Sequence, residues 1–462
     1  MDVKNQIIVE QSHTNGREPL GEENANFQPN QSFRLATIED LPYELLSRIF
    51  LDAIPVISPS ISHPWTFGEN YSDSPHRVRQ TLCLVSKYWR EIIRDSPRIQ
   101  ACVALFAPPF TRTYENIHSR PRELINGLID RSHRFLMDIY LRIEFRGAGR
   151  SVTYAERCVL VALRDQLHRT RTLVLHLGLI KLINLHDLFK PDTRIEAPHL
   201  ERFHCTLGTH SDISSFTPGQ LHAPKLHSAV ICRISSILLQ RFSPETCSSI
   251  RNISLYRLTA NEVGTLRQCH NIQNLIIKSF QPLESNLNFS TLTQAEIHLP
   301  NPGENDNNTQ FFHFPGMTSL TLRGRTSPIP LEFFSKHKYY GTLRELRLVS
   351  VEIRHEFCQT LLKCLPTIES LGIESSSLSD SFFEILSRGK DFCPKLQSLV
   401  ILQLRLPPSL ASVQNFVSSR LGLDSGDMII FWLSHPAPLY HQLLSEPGRA
   451  NGRFVYRASI RL

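Results

Sequence analysis

His204, Cys205 and His210 bring two imidazoles and a thiol into one short stretch. These are zinc-binding groups, but a structural zinc site takes four ligands, and no second cysteine pair supplies the rest. Cys205 also falls at an inward strand position, so the stretch reads as packing. Gly147-Ala148-Gly149 lacks the third glycine of a dinucleotide-binding loop and runs into Arg150, so it reads as a turn. The G-x-S-x-G elbow, the Walker A loop and H-E-x-x-H are absent from the sequence. With them go common routes to acyl transfer, nucleotide hydrolysis and metal-assisted hydrolysis. The ten cysteines are scattered without a C-x-x-C pair, the pattern of free thiols in a reducing compartment. Cys269 and Cys393 read as small buried hydrophobes. No residue is assigned a catalytic, cofactor-binding or metal-binding role. The expected activity is binding, and no cofactor is expected. Trp65 and Trp432 stand in loop-like contexts, as local packing or as partner anchors.

Charge points the same way. The net charge is +7, well short of the concentrated positive charge of nucleic-acid domains. Arg112–Arg171 holds 12 arginines against 7 acids and reads as a solvated face, with a patch for an acidic partner as the alternative. No apolar run approaches the 18 residues that span a bilayer, and the first residues lack a signal-peptide core. The expectations are no nucleic acid, no membrane, and a cytoplasmic or nuclear location. Sequons such as Asn252-Ile-Ser and Asn288-Phe-Ser are then chance matches.

What must such a chain position? Its 462 residues allow two to four domains, and 41% hydrophobic content supports a substantial core. Residues 1–36 are rich in Asn, Gln, Glu and Gly and are expected to be disordered. Asp40, just before LPYELLSRIF, and Pro42 within it are helix-start signals. Leu41, Leu45, Leu46, Ile49 and Phe50 then form one apolar stripe. In TLCLVSKYWREII a second helix places Leu82, Val85, Trp89 and Ile92 or Ile93 on one face. Residues 37–100 thus make a small helical module with a long internal loop over 54–78. Residues 101–130 read as a helical connector, and 426–462 as a cap or tail.

Over 131–425 a short pattern recurs: apolar, two residues, apolar, one residue, apolar. Its third apolar position falls at Leu175, Cys205, Ile231, Leu255, Ile277, Ile297, Leu322, Leu348, Ile373 and Ile401, in steps of 20 to 30 residues. That period is in the range of leucine-rich repeats, each a short strand followed by a helix or irregular segment. The last two apolar residues share one side of a strand, and stacking must supply the core a lone repeat lacks. EFCQTLLKCL and DSFFEILSRG read as intervening helices, and NPGENDNNTQ as a loop. The expected fold class is α+β: a helical module followed by an irregular α/β repeat solenoid.

Leu41-Pro42-x-Glu44-Leu45-Leu46-x-x-Ile49-Phe50, then Leu82-x-x-Val85-Ser86-x-x-Trp89-Arg90 and Ser96-Pro97-Arg98-Ile99, resembles the F-box over roughly residues 38 to 100. The insert between the halves is longer than the minimal motif, at little cost in closure entropy. That family commonly joins its F-box to leucine-rich repeats, and the repeats here are independent support. The resemblance implies a substrate-recognition subunit of a Skp–cullin–F-box ubiquitin ligase. Its helices would dock on a Skp-family adaptor, and through it on a cullin–RING ligase, while the repeats hold a target protein. Carried over by position, Leu41, Pro42, Leu45, Ile49, Phe50, Leu82, Val85 and Trp89 would form the adaptor-facing and core surface. Arg202, Asn252, Gln273, Arg344, Glu369 and Gln397, set between apolar strand positions, are candidate target contacts. The alternative is a non-ligase leucine-rich-repeat scaffold whose N-terminal helices only cap the solenoid.

Overall fold

A computed structural model of the chain describes residues 38–54, 75–107, 126–127, 129–143, 154–177, 188–191, 193–207, 218–232, 235–258, 260–279, 287–299, 312–324, 341–353, 355–376, 378–388, 391–402, 409–421, 430–434 and 455–456. Tyr43 to Leu462 forms one compact unit, and a 3₁₀ turn at Ile38–Asp40 lies in the unit before it.

Four helices come first: α1 (Tyr43–Ala53), α2 (Pro75–Val85), α3 (Lys87–Asp95) and α4 (Pro97–Gln100). The expected single helix through Thr81–Ile93 is two. Ser86 adopts an extended conformation, and its hydroxyl accepts the Trp89 N–H at 3.2 Å. A serine that caps one helix ends the one before it. Pro75 begins α2, so residues 75–78 are helical, not part of the expected loop. Pro97 at the first position of α4 gives up an N–H that no helix bond would use.

The connector is the second departure. Cys102–Ala107, expected helical, is strand β1. It pairs in parallel with β2 (Met137–Ile143) as the edge strand of the sheet, and Val103 is fully buried. The strands that follow are β3 (Thr170–Leu177), β4 (Arg194–Glu196), β5 (Arg202–Leu207), β6 (Gln220–His222), β7 (Ser228–Cys232), β8 (Asn252–Leu255) and β9 (Asn274–Ile277). Next come β10 (Leu287–Asn288), β11 (Gln294–His298), β12 (Phe312–His313), β13 (Ser319–Arg323), β14 (Glu345–Val349), β15 (Ser370–Glu374), β16 (Ser398–Leu402), β17 (Ile430–Ser434) and β18 (Val455–Tyr456). Fourteen of them form one parallel sheet whose spatial order follows chain order, while β4–β6 and β10–β12 make two small side sheets. The architecture is mixed α/β around this large parallel sheet.

Register explains the repeat. The third apolar positions align in one row across the sheet: Leu175, Cys205, Ile231, Leu255, Ile277, Ile297, Leu322, Leu348, Ile373 and Ile401. Every one is removed from solvent, and the residue two before each forms a second buried row. Each Leu or Ile buried this way stabilises by about 1.5–3 kcal/mol. The register continues at both ends, to Leu141 and Leu105 in β2 and β1 and to Leu433 in β17. Trp432 is accordingly a strand residue, and the sheet runs past residue 425. Before the strands a backbone ladder sets the stacking. The carbonyls of Gln273, Thr293, Thr318, Arg344 and Glu369 each accept two N–H groups from the start of the next strand.

Between strands lie α5 (Tyr154–Arg164), then the short α6 (Ser235–Leu239), α7 (Pro244–Ser249) and α8 (Ala260–Leu266), and then the longer α9 (His355–Lys363), α10 (Asp380–Ser387) and α11 (Leu410–Leu421). The α9 and α10 segments were legible from their apolar spacing. Phe383 packs edge-on against Phe382 and Phe416, which joins α10 to α11. One contiguous core runs from Val103 to Phe416. No helix among the described residues is long and apolar enough to cross a membrane. The expected disorder of residues 1–36, the loop at Asn301–Gln310, Trp65, His210 and Gly147–Gly149 lie outside the described residues.

Candidate functional site

The helices hold together by burying one side of each. In α1, Leu46 and Phe50, with Ile54 beyond, fall at i, i+4 and i+8 and point inward. They meet Trp89, Ile92 and Ile93 of α3, with the Phe50 and Trp89 rings 4.7 Å apart. Side chains lock the remaining elements. Ser47 and Ser96 share a hydroxyl hydrogen bond at 3.2 Å, and the Gln100 amide donates to the Ile93 carbonyl at 2.7 Å. Arg79 of α2 is buried and donates to the Ile99 carbonyl at 3.1 Å; burial lowers its pKa. Both α2 and α4 pack against β1, so the helices sit on one end of the sheet.

What this packing leaves out is apolar. Among the described residues, nine large hydrophobic side chains are exposed, and seven of them fall between Ile38 and Tyr88. Leu84 is 79% exposed, Val85 56%, Leu45 51% and Ile49 44%. Tyr43, Tyr88 and, in the preceding unit, Ile38 are the other three.

The structure divides the eight expected adaptor residues. Phe50 and Trp89 are core. Leu45, Ile49 and Val85 are exposed, as is Pro42, and Leu41 and Leu82 are half-buried. The single apolar stripe of α1 is therefore two stripes a quarter-turn apart, because neighbouring helix residues lie about 100° apart. Sequence reasoning missed Leu84, Tyr43 and Tyr88. The signal was there: Leu82–Val85 is nearly all apolar on a short helix, and a helix packed on one side cannot bury such a run.

The expected target contacts separate similarly. Arg202 and Asn252 are the first residues of β5 and β8, half-buried on the face opposite the core, where Asn252 accepts a hydrogen bond from Asn274. Gln273, Arg344, Glu369 and Gln397 lie in the turns leading into strands, one residue after a buried anchor, and are not in the sheet. Arg344 and Glu369 pair with each other.

That outward face changes along the sheet. Tyr140, Val174, His204, Val230, Ser254 and Ile276 are buried, whereas Thr321, Arg347, Gly372 and Val400 are open or half-open. Burial lowers the His204 pKa to about 3, with repulsion from His176 adding to the effect. In the open part, Arg347 crosses Gly372 to pair with Glu374. A Cβ on Gly372 would stand 3.2 Å from the arginine chain. Between the two parts, Glu296 Oε1 collects Lys278 at 3.5 Å, His298 at 3.0 Å and Arg323 at 2.8 Å. Burial alone would raise the Glu296 carboxyl, but the His298 hydrogen bond and the Lys278 and Arg323 charges outweigh it and hold the pKa near about 2.

Cys205 faces the core while His204 faces outward, so the two cannot serve one metal. No group of three potential ligands occurs among the described residues. The chain matches no family model, and no curated protein matches it significantly.

Proposed function

We propose that the chain is an F-box-type recognition subunit whose helices dock on a Skp-family adaptor and whose sheet is a leucine-rich-repeat solenoid that holds a target protein. The observation that carries this reading is the concentration of exposed large apolar side chains on α1, α2 and the start of α3. Exposed large apolar side chains concentrated in one short module are a feature of partner surfaces. The in-register strands at leucine-rich-repeat spacing support the second half, because stacked repeats characteristically offer an extended binding face. No covalent step is assigned to the chain; it supplies proximity between a target and a ubiquitin-carrying enzyme.

Co-purification with a Skp-family adaptor tests the reading. A Leu84→Glu/Val85→Glu variant replaces exposed side chains, so it should keep the wild-type circular dichroism and lose at least tenfold in adaptor binding. Absence of binding by wild type, or equal binding by the folded variant, sinks the proposal.

The packing of α2 and α4 on β1 favours a second reading, in which the helices cap the exposed end of the repeat stack. Deleting residues 1–100 separates the two. A cap is required for soluble, cooperative repeats, and a pure docking module is not.

A further inference from the structure

Lys278, His298 and Arg323 stand in one row on the outward face. His298 and Arg323 are register partners across β11 and β13, and Lys278 directly follows Ile277, which is registered with Ile297. Neighbouring strands lie about 4.8 Å apart, so three basic groups line up at that spacing. The acid that meets all three groups, and the charges of Lys278 and Arg323 in particular, is Glu296. Glu345, on the same face, accepts instead from Ser319 at 3.0 Å, and Glu374 is taken by Arg347. Desolvation holds His298 below its ordinary pKa, so it is neutral at pH 7 and donates Nε2–H to Glu296. Lys278 and Arg323 against Glu296 then leave one positive charge. Arg323 meets Glu296 through Nε. Its terminal nitrogens have no partner among the described residues, and the side chain is 24% exposed. The outer edge of a guanidinium offers two parallel N–H donors that match a carboxylate.

We propose that Arg323, held by Glu296 and backed by Lys278, is a carboxylate-binding fork that takes an aspartate or glutamate side chain of the bound target. The proposal rests on reading the outward face as the target-binding side. A monoanion balances the surplus charge; a dianion such as phosphate exceeds it.

The test uses the full chain alone, so its outcome is independent of the adaptor experiment. Sodium acetate is titrated against sodium chloride at constant ionic strength, following the His298 ring resonance, assigned by its loss in His298→Gln. A parallel titration uses inorganic phosphate. Acetate should shift the resonance saturably, and Arg323→Gln should weaken its apparent affinity at least threefold. Arg323→Lys, which keeps the charge and loses the fork, should also weaken it. Should Arg323→Gln misfold by circular dichroism, Lys278→Gln and Arg323→Lys decide the matter. An equal response to chloride, unchanged affinity in the folded variants, or saturation by phosphate at lower concentration than acetate would overturn the proposal.

Discussion

The helices at the N-terminal end and the sheet obey opposite rules. Along the sheet every repeated apolar position from Leu175 to Ile401 is hidden. The helices hide Phe50 and Trp89 and leave Leu45, Ile49, Leu84 and Val85 in solvent. Size does not force this, because α2 and α4 already lean on β1 and Leu82–Val85 could have been polar on its outer side. The contrast teaches that inward apolar rows are a property of stacking, while the outward surplus is the surface that the proposed adaptor would cover.

The sharpest way to break the comparison is to truncate one leucine on each side of it. Leu348→Ala, in the buried row, should cost about 2–5 kcal/mol by urea unfolding, the range for core leucines. Leu84→Ala should stay within about 0.5 kcal/mol, as exposed positions do. Similar losses at both sites would erase the distinction.

A middle-sized effect concerns acid. His204 stays neutral in the fold down to about pH 3, whereas in the unfolded chain it takes up a proton near its ordinary pKa of about 6.5. Its depressed pKa therefore contributes stability that is complete above pH 6.5 and declines as pH falls toward 3. The loss approaches about 1.4 kcal/mol for each pH unit in that window. Chemical unfolding of His204→Gln between pH 7 and 4 should show a shallower slope than wild type; a parallel slope would refute the assignment.

The smallest change lies outside the sheet. Arg344 is largely exposed in its pair with Glu369, and surface pairs of this kind contribute about 0–1 kcal/mol. Arg344→Ala should leave thermal unfolding within a degree or two. A larger drop would mean the turn side chains, and not only their carbonyls, hold the strands together.

The repeat was legible because its spacing recurs and period-2 alternation is clear in strands such as β13 to β15, where Leu320 and Leu322, Leu346 and Leu348, or Leu371 and Ile373 declare their side without help. Its extent was not. Val103 and Leu105 lack a leading anchor at the usual spacing, and an apolar hexamer reads as helix or strand alike. The helix break at Ser86 was hidden for a related reason, since a serine inside an apolar run signals a cap only once its hydroxyl is seen to turn back on Trp89. The split of α1 into a buried and an exposed stripe could not be read at all, because Leu45 and Leu46 differ only in which direction the neighbouring helix lies. Glu296 escaped notice because Lys278 and Arg323 come from neighbouring strands, and only the register brings them beside Glu296 and His298 of β11.

The spatial order of the strands also shapes how the molecule can grow and change. Within the main sheet each strand pairs only with the strands of that sheet that come before and after it in the chain, so most pairings close over a few tens of residues. Loop-closure entropy rises slowly with length, and the paired rows fix the alignment whatever the connection contains. Connections can therefore lengthen, shorten or be exchanged while the strands keep their places. A whole strand with its connection can be duplicated or deleted in one step without disturbing distant ones, and assembly can begin at several points along the chain and spread.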